Sequence, residues 1–312
     1  MMIHRVEKII GGRKLTLETG RMAKQAHGAT FLQYGETSVL ATVVESPDPK
    51  EGVDFLPLFV DYRERAFAGG KIPGGFFKRE GRPSDREVLS ARLIDRPIRA
   101  LFPDGYHYDV VVMVTVLSSD QENPADILGL VGVSTAMALS QIPLSDQVAA
   151  VRVGYIDGNY VLNPTWDQLE ASKLNLVVAG TRETIVMVEG GAEELPQEVV
   201  LGGLRFAREG IVEIIDLIAQ IAAAAGVPKR KFTPPVVEQA LVDKVQSRVE
   251  VPLDEIMNIA DKVERETRYA DLLAQVERDL EDEFPELEGE IAQVVSGIEK
   301  KKMRRMVLEQ GR

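Results

Sequence analysis

The chain of 312 residues contains no cysteine and only three histidines. Without thiols it cannot form disulfides, use a thiolate nucleophile or bind zinc or iron–sulfur clusters through cysteine. His4, His27 and His107 are too scattered in the sequence to predict a histidine-rich metal site. No segment approaches the roughly 18–20 apolar residues of a membrane span, and the N-terminus has no apolar signal stretch. We therefore expect a cytoplasmic protein without a membrane partner.

Charge is unevenly distributed along the chain. The net charge is −12, which by itself argues against a nucleic-acid partner. Between residues 63 and 99, however, ten Lys and Arg residues stand against five Asp and Glu residues. This asymmetry favours a focused anion-binding surface on an otherwise acidic protein. A merely solvated basic face is the alternative interpretation.

The first 225 residues predict an α+β core of mixed sheets with packed helices. Short strand-like segments separated by turns occupy the first 62 residues, and the apolar segment 109–117 predicts a buried strand. A helix rich in small residues follows at 126–140, then a β-meander and a long amphipathic helix that ends near Ala225. This β-α-β order does not show the strict alternation of a doubly wound fold.

The composition changes after residue 225. Residues 226–235 are rich in proline and basic residues, which is typical of a linker. Residues 236–312 have helical periodicity and predict a small all-α bundle, with helix breaks at Pro252 and Pro285. A basic run lies at 300–305. It either complements the dipole at a helix end or contacts RNA in addition to the basic loop described next.

The glycine-rich segment 71–82 is the most informative part of the sequence. Adjacent aromatic residues between glycines and cations are poorly placed for a core, whereas their rings can stack on bases and the cations can neutralise phosphates. The alternative is a loop that folds back and buries both rings. We predict that RNA is bound by Phe76, Phe77, Lys78, Arg79 and Arg82.

The helix after this loop predicts a second group of basic contacts. Ser84 and Glu87 have the spacing of a capping box, which places the helix start at Ser84. Arg92, Arg96 and Arg99 follow at i, i+4 and i+7 and therefore share one face. They are candidate phosphate or RNA contacts, with a face neutralised by internal salt bridges as the alternative.

Two groups of hydroxyl residues could bind an oxyanion. Ser118 and Ser119 precede Asp120 directly after the buried strand, and Ser134 and Thr135 lie in the small-residue helix. We include Ser134 and Thr135 among the candidate phosphate contacts. Hydroxyls that cap a helix or bond back to its carbonyls are the alternative.

Several long segments carry a family resemblance. They include "GRKLTLETGRMAKQAHGA", "VDYRERAFAGGKIPGGFFKREGRPSDRE", "RLIDRPIRALFP", "LSSDQENPADILGLVG", "IDGNYVLNPT" and "LVVAGTRETIVMVEGGAEE". The chain resembles the polynucleotide phosphorylase family, in its first RNase-PH-like core and the α-helical domain that follows. The resemblance runs from about residue 6 to the end of the chain.

The resemblance implies a phosphorolytic 3′→5′ exoribonuclease. Such an enzyme uses inorganic phosphate to release nucleoside diphosphates from single-stranded RNA, and it polymerises them in reverse. The resemblance also implies a homotrimeric ring with a central RNA channel, a requirement for Mg²⁺ or Mn²⁺, and a place in an RNA-degrading assembly. In this picture Phe76, Phe77, Lys78 and Arg79 form the channel constriction.

The chain departs from the family pattern in ways that bear on catalysis. It stops where a second core would begin, and the resemblance places the phosphate-binding serines and metal-binding aspartates in that core. In the present core, Asn175 stands where an aspartate ligand is expected, and asparagine is a weaker ligand for a hard dication. Residues 132–135 are only partly hydroxylic. We expect no catalytic or metal-binding residue here and an inactive isolated chain, with a stand-alone RNA-binding or ring-scaffold module as the alternative.

Overall fold

The structure is a computed structural model that describes residues 2–50, 52–76, 78–234, 237–285 and 287–311. The chain divides into two compact units, residues 1–234 (unit 1) and residues 235–312 (unit 2). Unit 1 contains both β-sheets, whereas the elements of unit 2 are helices. This confirms the α+β class followed by a helical segment. Among the described residues, no helix has the length and apolar character to cross a membrane.

A mixed six-stranded sheet forms one layer of unit 1. Its strands are β1 (His4–Ile10), β2 (Arg13–Thr19), β3 (Gly28–Tyr34), β4 (Thr37–Pro49), β5 (Leu58–Glu64) and β6 (Tyr108–Ser118). Their order is β1-β2-β3-β4-β6-β5, and only β5 and β6 are parallel neighbours. Parallel neighbours need a long crossover, which here contains α1 (Asp85–Arg99). The predicted RNA-binding loop therefore leaves the sheet at its β5 edge.

The second sheet of unit 1 is antiparallel. Its strands are β7 (Ala149–Ile156), β8 (Asn159–Leu162), β9 (Leu174–Gly180) and β10 (Ile185–Ala192), in the order β10-β9-β7-β8. The remaining helices of the unit are α2 (Ala125–Leu139), α3 (Trp166–Glu170) and α4 (Gln197–Ala225). Helix α2 packs against β3 and β4 of the first sheet and against β7 of the second. The core thus lies between the two sheets, around α2.

Small residues allow α2 to lie deep in this core. Nearly every residue of α2 is buried. A Cβ atom on Gly132 would stand 3.0 Å from the Cβ atom of Ala41, and one on Gly28 would stand 2.0 Å from the carbonyl oxygen of Ala136. Any larger residue at these positions would push the helix away from the sheet.

Unit 2 contains α5 (Gln239–Met257), α6 (Lys262–Leu280) and α7 (Glu288–Gln310). The predicted break at Pro252 is wrong, because α5 continues through Pro252 to Met257. A proline inside a helix costs about 3 kcal/mol, and the burial of Leu253 and Ile256 beyond it offsets this cost. The chain turns instead before Asp261, whose side chain caps α6.

Residues 227–232, here called the strap, belong to the segment predicted as a linker, but they lie along unit 1. The backbone N–H groups of Val227 and Arg230 donate to carbonyls at the end of α2 and just beyond it. The guanidinium of Arg230 lies 2.9 Å from the carboxylate of Glu45, whose side chain is fully buried. Phe232 packs edge-on against Tyr106, with ring centroids 5.0 Å apart.

Candidate nucleic-acid interface

The loop between β5 and α1 is anchored at both ends. Its first residues form a 3-10 turn, Ala66–Gly69, followed by Gly70 in the left-handed conformation that favours glycine. At its other end, the predicted capping box of Ser84 and Glu87 is confirmed. Glu87 also accepts a hydrogen bond from the backbone N–H of Glu64, at 2.9 Å. Burial acts to raise the pKa of Glu87, but the hydrogen bonds from Ser84 and Glu64 outweigh it and lower that pKa.

The tip of the loop extends into solvent. At its neck, the carboxylate of Glu80 accepts a hydrogen bond from the backbone N–H of Ala66, at 3.0 Å. Beyond the neck, Ile72 is 91% exposed and Phe76 is 93% exposed, so the alternative in which the loop buries Phe76 is wrong. Phe77 lies outside the described residues. The cations that follow Phe76 in the loop, Lys78, Arg79 and Arg82, are exposed, and so is Lys71 before it.

The arginines on α1 have different surroundings. Arg99 pairs with Asp95 at 2.7 Å and donates to the carbonyls of Leu56 and Leu58, so it fastens α1 to the start of β5. Arg96 forms a 2.6 Å ion pair with Glu189. Arg92 is exposed. The alternative of internal salt bridges therefore describes Arg99, whereas the partner of Arg96 lies in β10. Arg92 stays a predicted phosphate contact.

Ser134 and Thr135 cannot contact phosphate in this structure, so that expectation is wrong. They are 2% and 0% exposed. The hydroxyl of Thr135 donates to the carbonyl of Val131 in its own helix, at 2.7 Å. The hydroxyl oxygen of Ser134 accepts a hydrogen bond from the backbone N–H of Val148, at 3.3 Å. Both hydroxyls are buried because α2 lies between the two sheets.

Asn175 lies in a cleft of about 390 Å³ between α1 and β9. Its side-chain oxygen accepts a hydrogen bond from Arg152 at 2.7 Å, and the same guanidinium forms a 2.5 Å ion pair with Asp126. Within the described residues, no three His, Asp or Glu side chains converge to hold a metal ion. The guanidinium of Arg152 already bonds Oδ2 of Asp126 and the side-chain oxygen of Asn175, and Oδ1 of Asp126 accepts from the backbone N–H of Ile127, so this pair does not fit a divalent metal.

A second cleft, of about 470 Å³, lies at the foot of the loop. We call it the loop-foot cleft and define it by Arg65, Lys71, Arg86, Gln121 and Trp166. The guanidinium carbon of Arg86 lies 4.6 Å from the centroid of the Trp166 ring. The sequence analysis missed Trp166, because it follows the loop by more than 80 residues. One feature of the sequence could have indicated Trp166: it is the only tryptophan and it lies in a polar segment.

Comparison with known proteins defines the class of unit 1. The family model described as the 3′ exoribonuclease family, domain 1, matches residues 11–143, and domain 2 of that family matches residues 146–210. The crystal structure of rice (Oryza sativa) Rrp46 shares the fold, with a TM-score of 0.54 at 15% identity, over 67% of this chain and 94% of that one. Unit 1 is thus a core of the 3′ exoribonuclease type.

Unit 2 and the curated relatives define the family. The RNA-binding domain of polyribonucleotide nucleotidyltransferase matches residues 240–312. Polyribonucleotide nucleotidyltransferase from Acidobacterium capsulatum is 48% identical over 278 residues, which are 89% of this chain and 34% of that protein. The enzyme from Brucella suis is 50% identical over 283 residues, 91% of this chain and 39% of that protein. The chain belongs to the polyribonucleotide nucleotidyltransferase family, and it spans little more than a third of these relatives' length.

Proposed function

We propose that this chain is the RNA-gripping N-terminal part of a phosphorolytic 3′→5′ exoribonuclease. The observation that carries the proposal is the exposed loop, in which Phe76 is 93% exposed and is followed by Lys78, Arg79 and Arg82. An aromatic ring in solvent offers a stacking surface to any base, and neighbouring cations neutralise the backbone of a single strand. The 3′ exoribonuclease domain that contains this loop, and the RNA-binding domain matched at residues 240–312, support RNA as the ligand.

In the proposed reaction, inorganic phosphate attacks the 3′-terminal phosphodiester of RNA and releases a nucleoside diphosphate. The reverse reaction extends the RNA. We place this chemistry, with its Mg²⁺ or Mn²⁺, in the part of the longer relatives that this chain does not represent. The two described carboxylates that line the cleft between α1 and β9 support this placement, because Asp126 is paired with Arg152 and Glu189 with Arg96.

The complete protein is proposed to form a homotrimeric ring. A loop that projects from a β5 edge and is anchored at both ends suits a constriction in a central RNA channel. The cytoplasmic location and the association with an RNA-degrading assembly remain predictions from the family resemblance.

The first test is binding of fluorescein-labelled poly(A) to this chain, followed by fluorescence anisotropy. Phe76→Ala should weaken binding about 5- to 150-fold, because stacking contributes about 1–3 kcal/mol per base. Phe55→Ala is the matched control, since Phe55 is 59% exposed but lies outside the loop. Equal affinity of wild type and Phe76→Ala would refute the stacking role.

The second test is release of nucleoside diphosphates from poly(A) in the presence of phosphate and Mg²⁺. We expect poly(A) binding without release. Release by this chain would overturn the assignment of the chemistry to the part of the longer relatives that this chain does not represent.

A further inference from the structure

The loop-foot cleft has the size and charge of a nucleotide site. Its volume of about 470 Å³ falls within the roughly 300–1,000 Å³ of small-ligand sites. Arg65, Lys71 and Arg86 line it against one carboxylate, that of Glu64. Glu64 lies 3.6 Å from Arg86, so an excess of positive charge faces the cleft. Lys71 also belongs to the predicted RNA-binding loop, which makes the two surfaces continuous.

Arg86 and Trp166 form a stacking platform within this cleft. The guanidinium lies over the indole ring, and the Arg86 side chain remains 53% exposed. Bases stack on guanidinium planes as well as on aromatic rings. Trp166 is held in place, because its backbone N–H donates to the carbonyl of Glu122 at 3.1 Å and the capping box of Thr165 and Gln168 fixes the start of α3.

Gln121 adds a polar group with an unusual backbone. Its φ of 62° lies in the left-handed region, which glutamine rarely adopts. The hydroxyl of Ser119 accepts a hydrogen bond from the Gln121 backbone N–H at 3.2 Å and holds this conformation. Such strain concentrates at ligand sites. The exposed amide of Gln121 carries both a donor and acceptors, as a base edge requires.

We propose that the loop-foot cleft binds one nucleotide of single-stranded RNA. Its base stacks on the pair of Arg86 and Trp166 with its edge toward Gln121, and its phosphate lies between Arg65 and Lys71. The inference rests on the proposed function, because the same strand that contacts the loop tip supplies the nucleotide.

Trp166 makes the test direct, because it is the only tryptophan in the chain. A ten-nucleotide oligo(A) is titrated into the protein while tryptophan fluorescence is recorded, and anisotropy of the labelled oligonucleotide reports total binding in parallel. We expect quenching of Trp166 that follows the anisotropy curve. An abasic oligonucleotide of the same length should bind with much less quenching, because it has phosphates but no base to stack.

Variants of the platform separate stacking from charge. Trp166→Ala and Arg86→Ala should each weaken oligo(A) binding about tenfold, the scale of one stacked base. Trp166→Phe, which keeps a ring, should stay within about threefold of wild type, because a phenyl ring still stacks. Arg86→Lys should bind nearly as weakly as Arg86→Ala, because lysine keeps the charge without the plane. Circular dichroism confirms folding, and Arg86, which is half exposed, supplies the test if Trp166→Ala unfolds.

The outcomes separate this inference from the function on which it rests. If oligo(A) binds without changing Trp166 emission, and both alanine variants keep wild-type affinity, the proposal that the cleft binds a nucleotide is overturned. A loss of affinity in Phe76→Ala would still support RNA binding by the loop. Absence of any oligo(A) binding would overturn both.

Discussion

Asp120 organises the turn between β6 and α2, beside the loop-foot cleft. Its Oδ1 accepts hydrogen bonds from the hydroxyl of Thr37 at 2.8 Å and from the backbone N–H groups of Glu122 and Asn123 at 2.9 and 2.8 Å. Burial acts to raise the pKa of Asp120, but these donors, with the side-chain amide of Asn123, hold it well below its usual range. A native pKa below the unfolded one adds stability that is present above about pH 4 and is lost as the pH falls.

Asp120→Asn should therefore lower the free energy of unfolding at pH 7 by about 1–2 kcal/mol, because charge-assisted hydrogen bonds become neutral ones. The difference between wild type and variant should narrow between pH 5 and pH 3, as unfolded wild type takes up a proton that the folded state does not. Urea unfolding followed by circular dichroism measures both quantities. A difference that stays constant down to pH 3 would contradict this reading of Asp120.

At single residues, the sequence predicted exposure better than it predicted burial. Glycines before Phe76 and cations after it indicated an exposed ring, and the ring is exposed. Ser134 and Thr135 were candidate phosphate contacts because hydroxyls suit an anion. The same hydroxyls equally suit a backbone partner, and only the packing of α2 between two sheets decides between these uses.

At the scale of elements, the strap fastens residues distant in sequence. Its Arg230 neutralises Glu45 at 2.9 Å, and Tyr106 and Gln141 also donate to that carboxylate. Proline and basic residues predicted a linker here, because the partner of Arg230 lies in β4 and no local pattern reveals it. Pro252 gives the same lesson, since the tertiary burial of Leu253 keeps α5 helical beyond the proline.

Arg230→Met should lower the free energy of unfolding by about 3–5 kcal/mol, because it leaves the buried carboxylate of Glu45 without its cation. The double variant Glu45→Gln with Arg230→Met should recover part of this loss, since a neutral amide replaces the unpaired charge. Urea denaturation of the three proteins gives the comparison. If the single variant unfolds at the wild-type midpoint, the ion pair of Arg230 with Glu45 does not stabilise unit 1.

Over the whole molecule, a net acidic charge accompanies the basic segment 63–99, part of which we propose as an RNA contact. The net charge is −12, and part of the basic run at 300–305 has a structural partner. Lys302 is buried and forms a 2.6 Å ion pair with Asp254, which joins α7 to α5 inside unit 2. From the sequence, this run either complements a helix dipole or contacts RNA. Because Lys302 is buried, it is not available for an RNA contact. The cations of the loop tip are exposed, so RNA affinity should depend on them and on salt.

The most direct test of this account is the salt dependence of oligo(A) affinity. The triple variant Lys78→Ala, Arg79→Ala and Arg82→Ala should flatten the slope of log K against log salt by about 2, because each phosphate contact on a single strand contributes about 0.7. A control that removes the same charge from β1 and β2, with alanine at Arg5, Lys8 and Lys14, should keep the wild-type slope. If the loop variant also keeps the wild-type slope, or the control loses as much as the loop variant, the loop is not the surface that grips RNA.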